Sequence, residues 1–561
     1  MKTRRVISIF LCAAFIAVCL GPPVVSAEGT VTLTADLSNL GKTVTNKSCN
    51  VNVWDLNGSW LNAGSQPADY YATHDPYVKT VDLMTATGGS ASRDLFVDPN
   101  NRSNLTDYKF DNLIEACANI LGQGLKPKIT TGNVPLKYSA NPVMSGPFAV
   151  NVKPPDDYGV YYNYIKAIAD ALKDRFGLGE VKTWIWGVLT EYENRDWFDA
   201  GDADSTKIAY FKLYDYTVAA LEDSLGADNV YVGAHSMTCA EGYWDEKEFL
   251  NHCKNGTNYK RGATGTQLDY VSISYYDNNP VGFISAKFIS CINELRDYAN
   301  AIGLEGLKYG VDEGRLIAGW DNWDLLTRDV AHCSQGAADA KMFKVMVDND
   351  VDWFAQWDGG QSTEWFGGAR NVAGHIRNLV YKMTGDRVAG TSKTGKPAKG
   401  GSYIDGGDEV DGLVSYDSAT HTVHVLAYNS NIEKNAAAAE TTTVKLNNIV
   451  PVSGNTATVK KWIVDEAHAN WWSTWWQDQA KRGLSSYAYF WSRFSSQLPA
   501  NLLQQADKDY WNSRLSVYQS LGKLSYTTQE LPIKGNTLTL VNNTAHHGVV
   551  FYEITNLRST K

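Results

Sequence analysis

Residues 181–198 read Val-Lys-Thr-Trp-Ile-Trp-Gly-Val-Leu-Thr-Glu-Tyr-Glu-Asn-Arg-Asp-Trp-Phe. A short buried strand is expected here, and it stops abruptly in carboxylates set among aromatic and amide side chains. The acids Glu191 and Glu193 thus stand at the C-terminal end of a strand. In a barrel of alternating strands and helices, that end carries the chemistry. The pattern returns downstream, where Leu307 to Tyr309 and Val311 form a short strand ending in Asp312 and Glu313. The interval between the two sites has room for several strand–helix units.

The surrounding sequence fits this reading. Helical periodicity runs through Phe110, Leu113, Ile114, Cys117 and Leu121 and stops at Gly122. It recurs at Tyr161, Tyr164, Ile165, Ile168 and Leu172 up to Gly177, and at Ile208, Phe211, Tyr214, Val218 and Leu221 up to Gly226. Strand-like runs alternate with these helices at 126–130, 181–189, 230–233, 268–275, 307–311 and 351–357. Residues 49–54 and 91–97 supply a first and a second strand. Eight strands alternating with helices over residues 49–385 predict a (β/α)8 TIM barrel of the α/β class. Beyond a Gly- and Lys-rich stretch at 387–407 the character changes. Segments 413–416, 421–428, 441–446, 456–464, 537–540 and 549–554 alternate apolar and polar residues. Residues 386–561 are therefore expected to form an antiparallel β-sandwich. Residues 28–48, with their alternation at Thr30 to Ala35, are expected to join it. A Trp-rich insertion of helical composition interrupts the sandwich at 467–524.

Met1 to Ala27 has the form of a secretion signal. Arg4 and Arg5 precede an apolar run at 6–20, and Val25-Ser26-Ala27 is a small-residue cleavage site. The expectation is a secreted, extracellular protein with no membrane span. Cys239 and Cys253 are the most local pair of the remaining cysteines and a candidate disulfide. A net charge of −10 argues against nucleic acid or an anionic membrane as partner. The chain also holds 18 Trp and 31 Tyr. Their flat rings complement the C–H faces of sugars, although many must serve the core.

Two carboxylates on one barrel rim point to glycosidic bond cleavage. A retaining glycosidase needs one protonated carboxyl beside the leaving oxygen and one ionised carboxylate about 5–5.5 Å away. Glu191 is the expected acid/base, with Glu193 as rival and with helix capping or an ion pair to Arg195 as the structural alternative. Glu313 is the expected nucleophile. No cofactor or metal is called for.

The segment Trp186 to Phe198 resembles the fourth-strand motif of glycoside hydrolase family 39, in which Trp-Asn-Glu-Pro-Asn precedes an aromatic pair. Asp312-Glu313 through Gly319-Trp320 resembles the seventh-strand motif of the α-L-iduronidase branch. Leu268-Asp269-Tyr270-Val271-Ser272 is similar to that branch's sixth strand. Val464-Asp465-Glu466-Ala467-His468-Ala469-Asn470 looks like a signature of the β-xylosidase branch. The resemblance implies a retaining glycosidase with Glu191 as acid/base and Glu313 as nucleophile, acting on a poly- or oligosaccharide. It also implies an Arg beside the nucleophile, a place taken here by Arg93 unless Arg93 simply pairs with Asp94. One of Tyr275 and Tyr276 is expected to reach Glu313. Trp54, Asp94, His235, Trp357 and Asp358 are the other candidate sugar contacts. Thr190 stands where the family places an Asn that holds the sugar 2-hydroxyl. The sixth strand carries Tyr275-Tyr276 and no basic residue, so a neutral sugar is expected.

Overall fold

The computed structural model describes residues 27–48, 50–56, 69–145, 148–238, 242–277, 285–316, 331–356, 365–366, 368–396, 409–430, 439–482 and 505–561. After β1 (Ala27–Thr43), eight parallel strands close into a barrel. They are β2 (Asn50–Val53), β3 (Thr80–Leu83), β4 (Lys126–Thr131), β5 (Ile185–Val188), β6 (Val232–Thr238), β7 (Tyr270–Asp277), β8 (Lys308–Leu316) and β9 (Trp353–Gln356). Residue burial explains why these strands read as runs rather than as alternations. All four residues of β3 and all but the first of β4 and β5 are buried, because helices cover the outside of a parallel sheet.

The covering helices start and stop where the sequence supplies the chemistry. Asp157 caps Tyr158–Phe176 by accepting from the N–H groups of Gly159 and Val160, and Asp202 caps Ala203–Leu225 through Ser205 N–H. Both helices end on a glycine at positive φ, Gly177 at 82° and Gly226 at 86°. No helix among the described residues is long and apolar enough to cross a membrane.

Three expectations need correction. The second barrel strand is Thr80–Leu83, not 91–97. Its Asp82 leaves the four-residue strand with little apolar pattern to read, whereas Phe96 only makes an isolated antiparallel bridge to Tyr108. Val181 ends a short helix, Leu178–Val181, and β5 begins only at Ile185. Cys253 is a free, buried thiol on the helix Lys247–Asn255, so it forms no disulfide with Cys239, which lies outside the described residues. Burial holds the Cys253 thiol well above the ordinary range.

The second unit is one nine-stranded sheet. Its order is Tyr526–Pro532, Thr456–Val464, Val549–Thr555, Thr422–Ser430, Glu409–Asp417, Asp386–Lys396, β1, Ala439–Asn447 and Thr537–Thr544. Pairing is antiparallel except between β1 and Ala439–Asn447. The central strand Thr422–Ser430 is buried at every residue. Its Leu426 and Tyr428 pack into the barrel's hydrophobic cluster, while Val423, Val425 and Ala427 pack into the sheet's own core. From the Trp-rich segment, the helices Trp472–Lys481 and Gln505–Leu521 bring Trp471, Trp511 and Tyr518 together. The Trp471 indole donates to the Arg370 carbonyl at 3.0 Å.

Barrel closure depends on close backbone approach at Gly233 of β6, where a Cβ would stand 2.7 Å from the Tyr270 ring. Gly233→Ala should destabilise the chain by about 1–3 kcal/mol through overpacking. Gly179→Ala meets open space in the helix Leu178–Val181 and should be neutral or slightly stabilising. Urea unfolding of both variants against wild type checks the contrast.

Candidate active site

The end of β5 is strained. Leu189 (φ 58°) and Glu191 (φ 43°) both lie in the left-handed region, as does Ser236 of β6 (φ 61°). Non-glycine residues held there carry strain that the surrounding structure must hold in place. The backbone supplies part of that hold. Leu189 N–H donates to the Thr131 carbonyl at 2.8 Å, and Glu191 N–H donates to the Ser236 carbonyl at 2.7 Å. Gly132 (φ 103°) leaves the room that Leu189 occupies, because a Cβ there would lie 2.6 Å from the Leu189 Cβ.

This turn aims Glu191 into the barrel mouth. Its Oε2 accepts from the Trp197 indole at 3.0 Å and from the Asn194 amide at 3.2 Å. Ser274 adds a further hydrogen bond. Glu313, only 7 % exposed, comes from β8. The Tyr276 hydroxyl donates to its Oε1 at 2.8 Å and the Thr190 hydroxyl to its Oε2 at 3.0 Å. Asp312 and Glu313 are consecutive, yet both reach the barrel interior. A bulge in β8 permits it: Ile273 pairs with Val311 and the next residue, Ser274, with Glu313.

Burial and mutual repulsion set the electrostatics. Glu191 is raised above the ordinary carboxylate range by burial, against hydrogen bonds from Ser274, Asn194 and Trp197. Glu313 is pushed up to about 8, first by burial and then by the negative charge of Glu191, while Tyr276 and Thr190 pull the other way. Both carboxyls are thus held above the ordinary range, and the charge of Glu191 acts directly on Glu313.

Glu193 has a different environment. It is fully buried, and its Oε1 accepts from the backbone N–H and the hydroxyl of Thr238. Burial pushes it up to about 8. Gly242 is required beside it, since a side chain there would run into the Glu193 methylene. Glu191 rather than Glu193 shares the mouth with Glu313.

The remaining candidates separate clearly. Tyr276 and Thr190 reach Glu313, and Tyr275 is buried on the other side of the strand, as alternation requires. Arg93 does not reach Glu313 or pair with Asp94. It forms an ion pair with Asp55 at 2.6 Å, donates to the Ala149 carbonyl and lies over the Trp54 ring. Asp94 accepts from the Gly89 and Leu136 N–H groups and so ties two loops together. His235 is sealed within the barrel, with Nε2 at 2.8 Å from Asp82. Trp54 packs edge-on against Trp197, which stacks on Phe148 at 4.1 Å. Trp357 and Asp358 lie outside the described residues. Sequence reasoning missed Asp82 and Lys128, buried inside the barrel beneath the pair. The available signal was a charged residue in the middle of a short strand. Among the described residues no group of His, Cys, Asp and Glu is arranged to hold a metal ion.

Two buried acids, one beyond β5 and one on β8, with the charge of the first acting on the second, form a recognisable constellation. The model of the glycosyl hydrolases family 39 matches residues 93–293. The resemblance seen in the sequence motifs is thus found independently over the stretch that carries Glu191. A β-xylosidase of Caldicellulosiruptor saccharolyticus is 28 % identical over 134 residues, 24 % of this chain and 27 % of that protein. The chain therefore aligns with only about a quarter of that relative's length. An α-1,4-L-rhamnosidase of Formosa agariphila is 21 % identical over 341 residues, 59 % of this chain and 62 % of that protein. In fold, the chain is similar to a monomeric β-xylosidase of Caulobacter crescentus CB15. The TM-score is 0.65 at 15 % identity, covering 93 % of this chain and 99 % of that one.

The buried Glu193 makes stability depend on pH. Its folded value, about 8, lies above the ordinary 4.5. Stability is thus full below about 4.5 and is lost as pH rises towards 8, because only the unfolded chain releases the proton. Glu193→Gln keeps the shape and removes the titration. Its melting temperature relative to wild type should climb steadily between pH 5 and pH 8; a flat difference would show that Glu193 does not hold its proton.

Proposed function

We propose that the chain is a retaining glycoside hydrolase acting on a neutral-sugar poly- or oligosaccharide, with a β-xylosidase-like or arabinosidase-like specificity. The observation that carries this reading is the pair itself: Glu191 beyond β5, held by Trp197 and Asn194, and Glu313 of β8, held by Tyr276 and Thr190, both raised above the ordinary carboxylate range, with the charge of Glu191 acting on Glu313. Glu313 attacks the anomeric carbon from the ring face opposite the leaving group. Glu191 protonates the departing glycosidic oxygen, and the covalent glycosyl–enzyme forms. Departure of the leaving group changes the electrostatics. Once Glu313 is esterified its charge is gone, Glu191 more readily gives up a proton, and it can serve as base towards the incoming water.

Tyr276 and Thr190 steady Glu313 as an anion and compete for it with the bond that it must form. The Thr190 hydroxyl is engaged by the nucleophile, and its short side chain extends less far towards a sugar hydroxyl than an amide would. That favours a subsite shaped differently from one built around Asn. β7 brings no Lys or Arg to the mouth, which favours a neutral glycone over a uronate. The rhamnosidase relative, which aligns over more of the chain than the xylosidase, brings deoxyhexoses into the set of sugars to test. The leader-like segment at 1–27 supports export, and with it an extracellular polymer as substrate.

Glu313→Ala should reduce turnover at least 10³-fold, in line with loss of a covalent nucleophile. Added azide should partly restore release, giving a glycosyl azide of inverted configuration. Glu191→Ala should slow glycosides with poor leaving groups far more than activated aryl glycosides, because only the former require protonation. Equal losses on both substrate types would sink the acid assignment. Matched neutral and uronide aryl glycosides of xylose, arabinose, rhamnose and glucuronic acid should show a neutral-sugar preference in kcat/KM.

A further inference from the structure

Beneath the catalytic pair lies a group of charges fully enclosed by the barrel. Lys128 of β4 forms an ion pair with Asp312 of β8 and approaches Asp82 of β3 at 3.3 Å. Each of these side chains is at most 1 % exposed. Asp82 also meets the His235 ring at 2.8 Å and accepts from the Thr130 hydroxyl at 2.6 Å. Asp312 is held on both oxygens. Trp353 of β9 donates to Oδ1 at 2.6 Å, and Ser272 of β7 to Oδ2 at 2.7 Å. Its backbone carbonyl accepts from Asn52 of β2 at 2.7 Å. Bonds from four other strands therefore converge on one residue.

That residue is the bulge. Between Val311 and Glu313 β8 advances two residues while β7 advances one, and between Val311 and Gly314 it advances three while β9 advances two. Without the extra residue, alternation would send Asp312 and Glu313 to opposite faces. With it, both point inward. A buried ion pair contributes little net stability against an apolar replacement of similar volume. Three charged side chains in a barrel core that apolar packing would fill are thus better explained by what they position than by what they stabilise.

We propose that Lys128 and Asp312 are positioning residues for Glu313: their ion pair, clamped by Trp353 and Ser272, holds the β8 bulge that turns the nucleophile into the barrel mouth. This inference rests on the assignment of Glu313 as nucleophile. Lys128 also supplies positive charge beneath the site from inside the barrel, and Arg93, engaged by Asp55, does not. Among the described residues, the titratable groups that bear on Glu313 are Glu191 beyond β5, Tyr276 of β7 and Asp82 of β3; Lys128 of β4 and His235 of β6 face Asp82 and Asp312, the residue beside Glu313 in the chain. Asp82 opposes ionisation of Glu313, and Lys128 is the cation beside Asp82.

The test uses the 4-nitrophenyl glycoside that the wild-type chain turns over best, with Lys128→Met, Asp312→Asn and Trp353→Phe. Each variant should lower kcat, on the order of 10²-fold for the two charge variants, with KM little changed, as expected for a misplaced reacting group. The acidic limb of the kcat/KM profile separates positioning from general damage. It should move up by about one pH unit in Lys128→Met, where anions lose their counterion, and down by a similar amount in Asp312→Asn. Trp353→Phe should lower kcat and leave the limb in place. If Lys128→Met lacks a cooperative melting transition, Asp312→Asn and Trp353→Phe carry the test. Unmoved limbs in the charge variants, or unchanged kcat in Asp312→Asn and Trp353→Phe, would overturn the proposal. Absence of wild-type turnover on every glycoside, or full activity of Glu313→Ala, would instead overturn the assignment on which it rests.

Discussion

Two carboxyl groups buried within reach of each other in one barrel mouth cannot both carry full charge, and the site is organised around that constraint. Each group lies where burial disfavours its ionised form, and the charge of Glu191 makes ionisation of Glu313 harder still. The partners are divided to suit. Glu191 leans on Trp197 and Asn194, which keep its carboxyl at the edge of the mouth. Glu313 receives two hydroxyl donors, Tyr276 and Thr190, which favour its anion. Hydrogen bonds thus favour the anion at both carboxyls, against burial, which favours the protonated form at both.

Holding like charges together takes rigidity, and the fold provides it through backbone features that a relaxed chain would avoid. Left-handed φ angles at Leu189, Glu191 and Ser236 occur on adjacent strands joined by the Glu191–Ser236 backbone hydrogen bond. The bulge in β8 lies beyond β7 from Ser236. Each would relax without its neighbours. Gly132 makes room for the first, and the buried Lys128–Asp312 pair clamps the last. The closed barrel unites these local strains, since every strand is fixed by neighbours on both sides.

The nine-stranded sheet adds support from outside the barrel. Its central strand is buried on both faces, one towards its own core and the other towards the barrel's hydrophobic cluster. β1 is laid into this sheet before the barrel begins, so the chain enters and leaves the barrel through the same unit. Among the described residues, the Trp-rich helices pack on one another and on the segment around Arg370, and Trp472 meets His332.

The sequence by itself determined the class of fold and singled out Glu191 and Glu313 as candidate acids. Strands buried on both faces and helices ending on glycine follow from side-chain periodicity and φ preference, which are local properties. Glu191 and Glu313 stood out because a carboxylate at the end of an apolar strand is costly unless it has a use. Only the tertiary structure decided the rest. Thr80–Leu83 went unread as the second strand because Asp82 interrupts its apolar pattern, and that aspartate is tolerated only because Lys128, Thr130 and His235 converge on it from other strands. Arg93 follows a rim segment whose loop carries it to Asp55 and not to Glu313. The helix Lys247–Asn255 turns Cys253 into the core as a free thiol. The direction of Glu193 and the inward turn of both Asp312 and Glu313 depend on a bulge and on hydrogen bonds between residues far apart in the chain. Such contacts leave no periodic trace in the sequence, because they are made by strand neighbours that only barrel closure brings together.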